Sequence, residues 1–177
     1  MLYPLPAVLV STRGSDGRDN LMTAAWTGTI CTNPPMLYIS VRKSRYSYQA
    51  LHETGVFGIN LTTEKLVRAT DYCGVVSGRE HDKFKECHLT KEKADQIPVA
   101  LVAESPVTIE CRITEEKELG SHVMMIADVL SVHADEKYMD EKGRFALEKA
   151  HPIVYSHGTY FSLGKGLGRF GFSVKKK

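Results

Sequence analysis

A short run of basic and hydroxyl-bearing residues, 42–47, has the composition of a phosphate-binding segment. Its cations are Arg42, Lys43 and Arg45, and its hydroxyls are those of Ser44 and Ser47. If Ser44 caps a helix that begins at Arg45, the free N–H groups and the positive end of the helix dipole would add to this charge. An ordinary capped helix with a solvated basic rim would have the same sequence, so spacing alone leaves both interpretations open.

A second segment, residues 20–28, combines small residues with one large aromatic side chain. Small side chains let main-chain N–H and C=O groups approach the edge of a flat ring. The candidate ring-contacting residues are Asn20, Met22, Thr23, Ala24, Ala25, Trp26 and Thr27. A plain strand packed on a helix would also explain this composition.

Other familiar motifs are weak. Gly166, Gly168 and Gly171 match G-x-G-x-x-G, but too few residues follow for the helix and the acidic residue that a dinucleotide-binding unit needs. The cysteines and histidines do not form the close pairs of a zinc site, so we expect no metal. Cys31 and Cys73 are candidate nucleophiles, although buried, inert thiols are the more common state.

Composition limits the partners. The 23 basic and 21 acidic residues give a net charge of only +2, so we expect no nucleic-acid binding. The basic run at residues 175–177 is interpreted as a solvated chain end. No segment approaches the roughly 20 apolar residues of a membrane span, and the four scattered cysteines do not suggest disulfides, so we expect a cytoplasmic protein that binds no membrane. The length of 177 residues favours one domain, 1–177.

The elements that must position these residues are mainly strands. Strands are predicted at residues 5–12, 21–27, 36–41, 56–61, 107–113, 123–133, 152–155 and 160–163, with 36–41 buried on both faces and 115–120 as a charged loop. Helices are predicted at 45–53, ending at Gly55, at 63–72, stopped by Gly74, and at 80–87 within a long polar excursion. This pattern favours a mainly β fold with short helices, a small β-barrel of the α+β type.

Taken in order, these pieces resemble the flavin reductase-like family of FMN-binding split barrels, in particular its flavoredoxin-type branch. The resemblance covers nearly the whole chain. Its marks are Tyr-Pro-Leu-Pro-Ala-Val-Leu-Val at residues 3–10, Met-Thr-Ala-Ala-Trp at 22–26, Asn-Pro-Pro at 33–35, Arg-Tyr-Ser at 45–47, Asp-Tyr-Cys-Gly at 71–74, Ser-Gly-Arg at 77–79, Asp-Lys-Phe at 82–84, Glu-Leu-Gly-Ser-His at 118–122, Tyr-Ser-His-Gly at 155–158 and Leu-Gly-Arg-Phe-Gly-Phe-Ser-Val at 167–174.

The resemblance implies a homodimer with FMN at or near the subunit interface. It places residues 22–27 along the isoalloxazine ring, with Thr23 as a side-chain contact, and it assigns the phosphate to Ser44, Arg45 and Ser47, beside Arg42. It also places four residues of the excursion over the cofactor, of the same chain or of the partner chain: Cys73, Ser77, Arg79 and Lys83.

A bound flavin allows two redox roles, since the cofactor carries the chemistry while the protein positions it and sets its electrostatic environment. The first is a reductase in which NADH or NADPH delivers hydride to flavin N5, with His157 as the candidate catalytic contact to the nicotinamide or the flavin face. The alternative is an electron carrier of the flavoredoxin kind, reduced by a redox protein partner and lacking a nicotinamide site. A non-redox flavin sensor or storage module is a third possibility.

Overall fold

The computed structural model describes residues 2–174 as antiparallel strands with short helices, as predicted. The tail at residues 175–177 lies outside the described residues. The strands are β1 (Leu5–Pro6), β2 (Val8–Arg13), β3 (Asp19–Ala24), β4 (Thr27–Thr32), β5 (Pro35–Val41), β6 (Val56–Leu61), β7 (Lys91–Lys93), β8 (Ala100–Val102), β9 (Val107–Leu119), β10 (His122–Ala134), β11 (Ile153–Ser156) and β12 (Thr159–Ser162). The α-helices are α1 (Tyr46–Thr54), α2 (Val67–Val75) and α3 (Lys83–Glu86). Four 3-10 turns cover Glu64–Leu66, Glu136–Tyr138, Leu147–Ala150 and Phe172–Val174.

Seven strands form the main sheet, in the order β3-β2-β6-β9-β10-β5-β4. Every neighbouring pair in it is antiparallel. A three-stranded sheet, β1-β11-β12, and a two-stranded sheet, β7-β8, complete the β structure. The main core lies inside the large sheet and includes Val10, Ile39, Phe57 and Met125, each almost fully buried. Burial of such side chains contributes about 1.5–3 kcal/mol each, which makes this core the rigid support for the loops around it.

The first two predicted strands are divided differently in the structure. Residues 5–12 form β1, which pairs with β11, and β2, which pairs with β3 and β6. The strand predicted at 21–27 ends at Ala24, and a new strand, β4, begins at Thr27. Burial explains why β4 was missed, because most of its side chains are exposed or half-buried and give no apolar pattern.

The prediction for residues 36–41 was wrong about burial. Leu37, Ile39 and Val41 are buried, whereas Tyr38 and Ser40 are only half-buried. The strand therefore alternates in the ordinary way, with one face on the core. Ser40 lies on the other face, beside the cleft described below.

The helix entry also differs from the prediction. Arg45, not Ser44, is the N-cap residue of α1, and no side-chain hydrogen bond caps it. The end of α1 was predicted correctly, since Gly55 adopts the left-handed conformation (φ 66°) and its N–H donates to the carbonyl of Leu51. Helix α2 continues through Gly74 to Val75 instead of stopping. A Cβ at Gly74 would lie only 3.3 Å from that of Thr23, so glycine allows close helix–strand packing here.

Strands β9 and β10 are longer than predicted, at thirteen residues each. The segment predicted as a charged loop continues β9 to Leu119, and its pairing with β10 reaches His122. Both faces of β9 are exposed from Thr114 onward, so no alternation of apolar and polar residues marks it as a strand. Strands β7 and β8, in the polar excursion, were not predicted, and the helix expected at 80–87 is reduced to α3.

Candidate functional site

One cleft of about 710 Å³ opens where the main sheet, helix α2 and the small β1-β11-β12 sheet meet. A narrower recess of about 110 Å³ continues from it beneath the excursion that follows α2. Four residues line both spaces: Met22, Ser44, Arg45 and Val75. The sharing of these residues makes the cleft and the recess one elongated site, wide at one end and narrow at the other.

The wide end is lined by residues 22–26, the small-residue segment singled out in the sequence. Thr23 donates its hydroxyl hydrogen bond to the carbonyl of Thr70, so that side chain is fixed against α2. Between β3 and β4 the chain turns at Ala25 and Trp26, and the Trp26 carbonyl accepts a hydrogen bond from Ser40 N at 2.8 Å. The segment therefore offers small side chains and main chain to the cleft, as a flat ligand requires.

Trp26 and His122 stand together at the wide end. Their rings are nearly parallel, with centroids 6.1 Å apart and an interplanar angle of 11°. Trp26 is 49% exposed, which is unusual for the one tryptophan of the chain. A half-exposed aromatic pair lining a cleft suits contact with another flat ring.

The narrow end is built from polar groups. Asn20 and Ser47 are buried, and Asn20 Nδ2 lies 2.8 Å from Ser47 Oγ as a hydrogen-bond donor. Asn20 Oδ1 has no partner in the described structure. Rotation of the amide by 180° would let Ser47 donate to Oδ1 and would turn Nδ2 toward an acceptor in the recess. Arg45 and Ser77 complete this end.

Lys83 is the residue at the narrow end that most clearly indicates an anionic ligand. It is only 4% exposed, and its ammonium donates to the carbonyls of Leu21 at 2.7 Å and Cys73 at 3.0 Å. Within residues 2–174 no carboxylate lies within ion-pair distance of it. Burial lowers the pKa of Lys83. An ammonium has three hydrogens, so one remains for a ligand, and a buried cation without a counter-ion favours an anionic one.

The recess therefore fits the phosphate of a flavin mononucleotide, and the wide end fits its ring. Lys83, Asn20, Ser47 and Arg45 would hold the phosphate through charge-assisted and hydroxyl or amide contacts. The Arg45 side chain is also held in place by the protein, because its Nη1 donates a hydrogen bond to the carbonyl of Gly74 at 2.7 Å.

Gly78 closes the recess and leaves no room for a side chain. A Cβ there would lie 2.1 Å from Asn20 Oδ1 and 2.7 Å from Tyr46 Cδ1.

We expect Gly78→Ala to displace the Asn20 amide and to weaken FMN binding at least threefold in a fluorescence titration, since a shifted hydrogen bond costs about 1 kcal/mol. Glu80→Ala is the control, because Glu80 is exposed on the same excursion and lines neither the cleft nor the recess. Equal affinity in both variants would contradict the role given to Asn20.

Most of the sequence-predicted residues line this site. Those lining the cleft or the recess are Asn20, Met22, Thr23, Ala24, Ala25, Trp26, Arg42, Ser44, Arg45, Ser47, Ser77 and Lys83. Thr27 does not line it: the residue is buried, and its hydroxyl donates to the Tyr38 carbonyl at 2.6 Å. Arg79 is exposed on the excursion and also lies outside the lining.

Cys73 is not placed to contact a ligand. It is fully buried in a small core with Leu9, Leu21 and Phe84. Burial raises the pKa of its thiol to about 12, so the sulfur stays neutral and unreactive near pH 7. Its carbonyl, not its sulfur, contributes to the site by accepting from Lys83.

His157 lies beside the cleft, not in its lining. It occupies the turn between β11 and β12 in a left-handed conformation (φ 47°). Its ring packs on Tyr3 with centroids 4.2 Å apart, and its Nδ1 lies 3.0 Å from Ser156 Oγ. These contacts describe a turn-stabilising residue, while its neighbours Tyr155 and Gly158 line the cleft.

Several lining residues were not singled out as ligands in the sequence. They are Ala7, Ser40, Val41, Asp71, Gly74, Val75, His122, Tyr155, Gly158 and Tyr160 at the wide end, and Tyr46, Val76 and Gly78 at the narrow end. Asp71, His122 and Tyr155 fall inside the motifs that carry the family resemblance, which is the one signal that marked them. Their places in the site depend on which strands and helices pack together, and spacing along the chain does not predict that packing.

A polar cluster holds the excursion in place above the recess. The Tyr72 hydroxyl donates to Glu86 Oε2, and His81 Nδ1 lies 2.9 Å from the same oxygen. The Glu86 contact raises the pKa of Tyr72 to about 12, and the Tyr72 contact lowers the pKa of Glu86. The cluster ties α2 to α3 and so positions Lys83, the first residue of α3.

A group of metal-ligand types occurs elsewhere, at Asp95, Glu110 and His133. Glu110 is fully buried, and its two oxygens accept hydrogen bonds from the N–H groups of Asp95, Gln96 and Ile97 and contact His133 Nε2 at 2.7 Å. A carboxylate that already has four partners is a structural anchor for the loop that precedes β8, so this group does not indicate a cation site.

Comparison with known proteins agrees with this geometry. Residues 1–164 match the family described as flavin reductase like domain. The flavoredoxin of Desulfovibrio vulgaris (Miyazaki F) is 32% identical with a TM-score of 0.92, over 99% of this chain and 95% of that chain. The flavoredoxin from Methanosarcina acetivorans is 27% identical with a TM-score of 0.88, over the same shares. An FMN reductase (NADH) of Methylorubrum extorquens is 32% identical over 122 residues, which are 68% of this chain and 67% of that protein. Together with the seven-stranded antiparallel sheet and the two-part cleft, these likenesses establish that the chain belongs to the flavin reductase-like family and has its split-barrel fold.

Proposed function

We propose that this protein binds FMN non-covalently and acts as an NAD(P)H-dependent flavin reductase. The observation that carries the proposal is the continuity of the cleft and the recess through Met22, Ser44, Arg45 and Val75. A wide end lined by small residues and a narrow end with a buried, unpaired ammonium match a ring system joined to a phosphate. FMN has that shape and that charge.

In this proposal the protein's own groups bind and orient. The ammonium of Lys83 and the amide of Asn20 fix the phosphate, which sets how far the ring can reach along β3. The main chain of residues 22–26 would then meet the edge of the ring, and Trp26 would lie at the same end of the cleft. Bound FMN supplies the redox chemistry by accepting a hydride equivalent and passing electrons on.

The similar proteins support two versions of this function. The FMN reductase (NADH) of Methylorubrum extorquens supports a nicotinamide-dependent enzyme. The flavoredoxins support the alternative, an electron carrier reduced by a protein partner. We favour the reductase because the wide end, at about 710 Å³, has room for a second flat ring beside the flavin.

Anaerobic stopped-flow mixing of the FMN-loaded protein with NADH and NADPH tests this choice. We expect at least one nicotinamide to bleach the flavin absorbance within seconds. A protein that binds FMN but is bleached by neither would not be the reductase, and would be either the carrier or a non-redox flavin-binding module. A protein that binds no FMN under saturating ligand would contradict both versions.

We also propose that the protein is a homodimer. Residues 163–174 contain no strand. Four of their large apolar side chains are at least 54% exposed: Leu163, Leu167, Phe170 and Phe172. Such a segment is stabilised when it is covered by a partner surface. A second copy of the chain is the partner that the family resemblance indicates. Light scattering of the FMN-loaded protein should give twice the 19.7 kDa chain mass.

We place this function in the cytoplasm. All four cysteines are free thiols, Cys31 and Cys87 being partly exposed. Free, partly exposed thiols persist in reducing compartments. None of the helices described between residues 2 and 174 is long and apolar enough to cross a membrane.

A further inference from the structure

Asp71 and Tyr160 meet at the wide end of the cleft, although 89 positions separate them in the chain. Asp71 projects from helix α2, and Tyr160 lies on β12 of the small sheet. The Tyr160 hydroxyl donates to Asp71 Oδ1 across a distance of 3.3 Å. This contact joins two walls of the cleft and fixes the orientation of both groups.

The pair offers two acceptors to the cleft. Since the phenolic hydrogen points to Asp71 Oδ1, the phenol oxygen keeps a free lone pair that can accept a hydrogen bond. The lone pairs of Asp71 Oδ2 are also free to accept. Burial, with the Asp71 charge next to it, raises the pKa of Tyr160 to about 12, so the hydroxyl stays protonated at neutral pH. Among the described residues Asp71 has no ion-pair partner, so its negative charge remains available.

Aromatic rings line the same cleft as this acceptor pair. Tyr155 lines the cleft next to Tyr160, with ring centroids 5.6 Å apart, and Tyr3 packs behind Tyr155 at 6.3 Å. The rings of Trp26 and His122 line the same cleft. Aromatic walls favour a planar ring, and a phenol oxygen beside a carboxylate favours a substituent with two N–H donors.

We propose that Asp71 and Tyr160 form the subsite that receives the carboxamide of a nicotinamide ring. The amide NH₂ donates to Asp71 Oδ2 and to the Tyr160 oxygen, while the ring packs among the aromatic side chains. A ring that bears a carboxylate in place of the amide is rejected by the charge of Asp71. This inference rests on the proposed function, because it concerns the ring that would deliver the hydride.

A binding experiment tests the subsite without any turnover. The FMN-loaded protein is titrated by calorimetry with NAD⁺ and with the oxidised 3-acetylpyridine analogue, which replaces the amide NH₂ by a methyl group and keeps the charge. We expect the wild-type protein to bind NAD⁺ about threefold to tenfold more tightly, the range that one or two hydrogen bonds supply. In Asp71→Ala and in Tyr160→Phe this ratio should fall toward one.

Controls separate the subsite from the cofactor site. FMN affinity is measured separately in both variants, and the ratio is taken only from protein saturated with FMN, so that a change in flavin binding does not enter it. Glu80→Ala, at an exposed carboxylate outside the cleft, should keep the wild-type ratio. Equal binding of the two dinucleotides by the wild-type protein, or an unchanged ratio in Asp71→Ala, would overturn the inference while leaving FMN binding and bleaching intact. Loss of FMN binding or of bleaching in the wild-type protein would instead reject the proposed function.

Discussion

FMN affinity should fall about 10- to 100-fold in Lys83→Met, whereas riboflavin affinity should remain within about twofold of the wild-type value. The reason is that Lys83 supplies a buried charge that only the phosphate can use, and a charge-assisted hydrogen bond contributes about 1.5–3 kcal/mol. Riboflavin has the same ring and ribityl chain but no phosphate. Parallel titrations of the apoprotein with both ligands, followed by flavin fluorescence, measure the difference.

A neighbouring lysine provides the control for this prediction. Lys85 lies on the same short helix but is exposed, so Lys85→Met should bind both ligands as the wild type does. If Lys83→Met lost both ligands to the same extent, its role would be to hold α3 against the carbonyls of Leu21 and Cys73, not to bind phosphate. If it lost neither, the recess would not be the phosphate site.

The second large effect concerns stability, at Glu110. We expect Glu110→Gln to lower the free energy of unfolding by about 3–5 kcal/mol, the typical cost of breaking a buried charged network. Glutamine has the same shape, so no cavity forms. Its NH₂ group, however, would face N–H donors from residues 95–97 or from His133, where the carboxylate accepts. Urea denaturation measures the change, and Glu116→Gln, at an exposed carboxylate further along β9, is the control.

The pH dependence of the same variant gives an independent check. Burial alone would raise the pKa of Glu110, but the N–H of Asp95 and the contact with His133 outweigh it and hold the pKa below the ordinary value of 4.5. A depressed folded-state pKa means that the carboxylate stabilises the fold fully above about pH 4.5 and loses this effect as the pH falls through the lower value. The stability difference between wild type and Glu110→Gln should therefore shrink in acid. A constant difference down to pH 3 would contradict this account.

The sequence predicted the buried parts of the fold better than the exposed parts. Strand β6 and the end of α1 at Gly55 were predicted correctly, because a short run rich in apolar residues and a left-handed glycine are local signals. Strand β4 and the far half of β9 were missed, because their side chains are largely solvent-exposed and the pairing partner alone makes them strands. Residue preferences favour Ser44 as the helix cap, but they cannot distinguish adjacent residues when no side-chain bond forms.

The site was predictable where it lies on continuous sequence. The residue types of 22–26 and 44–47 predict a binding role, and the structure brings both segments to the continuous site formed by the cleft and the recess. The importance of Lys83 is harder to predict from the sequence, because its burial depends on tertiary packing against β3 and α2. Asp71 and Tyr160 could not have been paired from spacing, because their contact depends on how α2 meets the small sheet.

The walls of the cleft include four distant stretches of the chain, near residues 22–26, 42–45, 71–75 and 155–160. No single stretch can form the pocket, so it exists only after residues 155–160 have been synthesised and have packed against the other three. Retention of the cofactor therefore reports on long-range folding and not on the structure of any one segment.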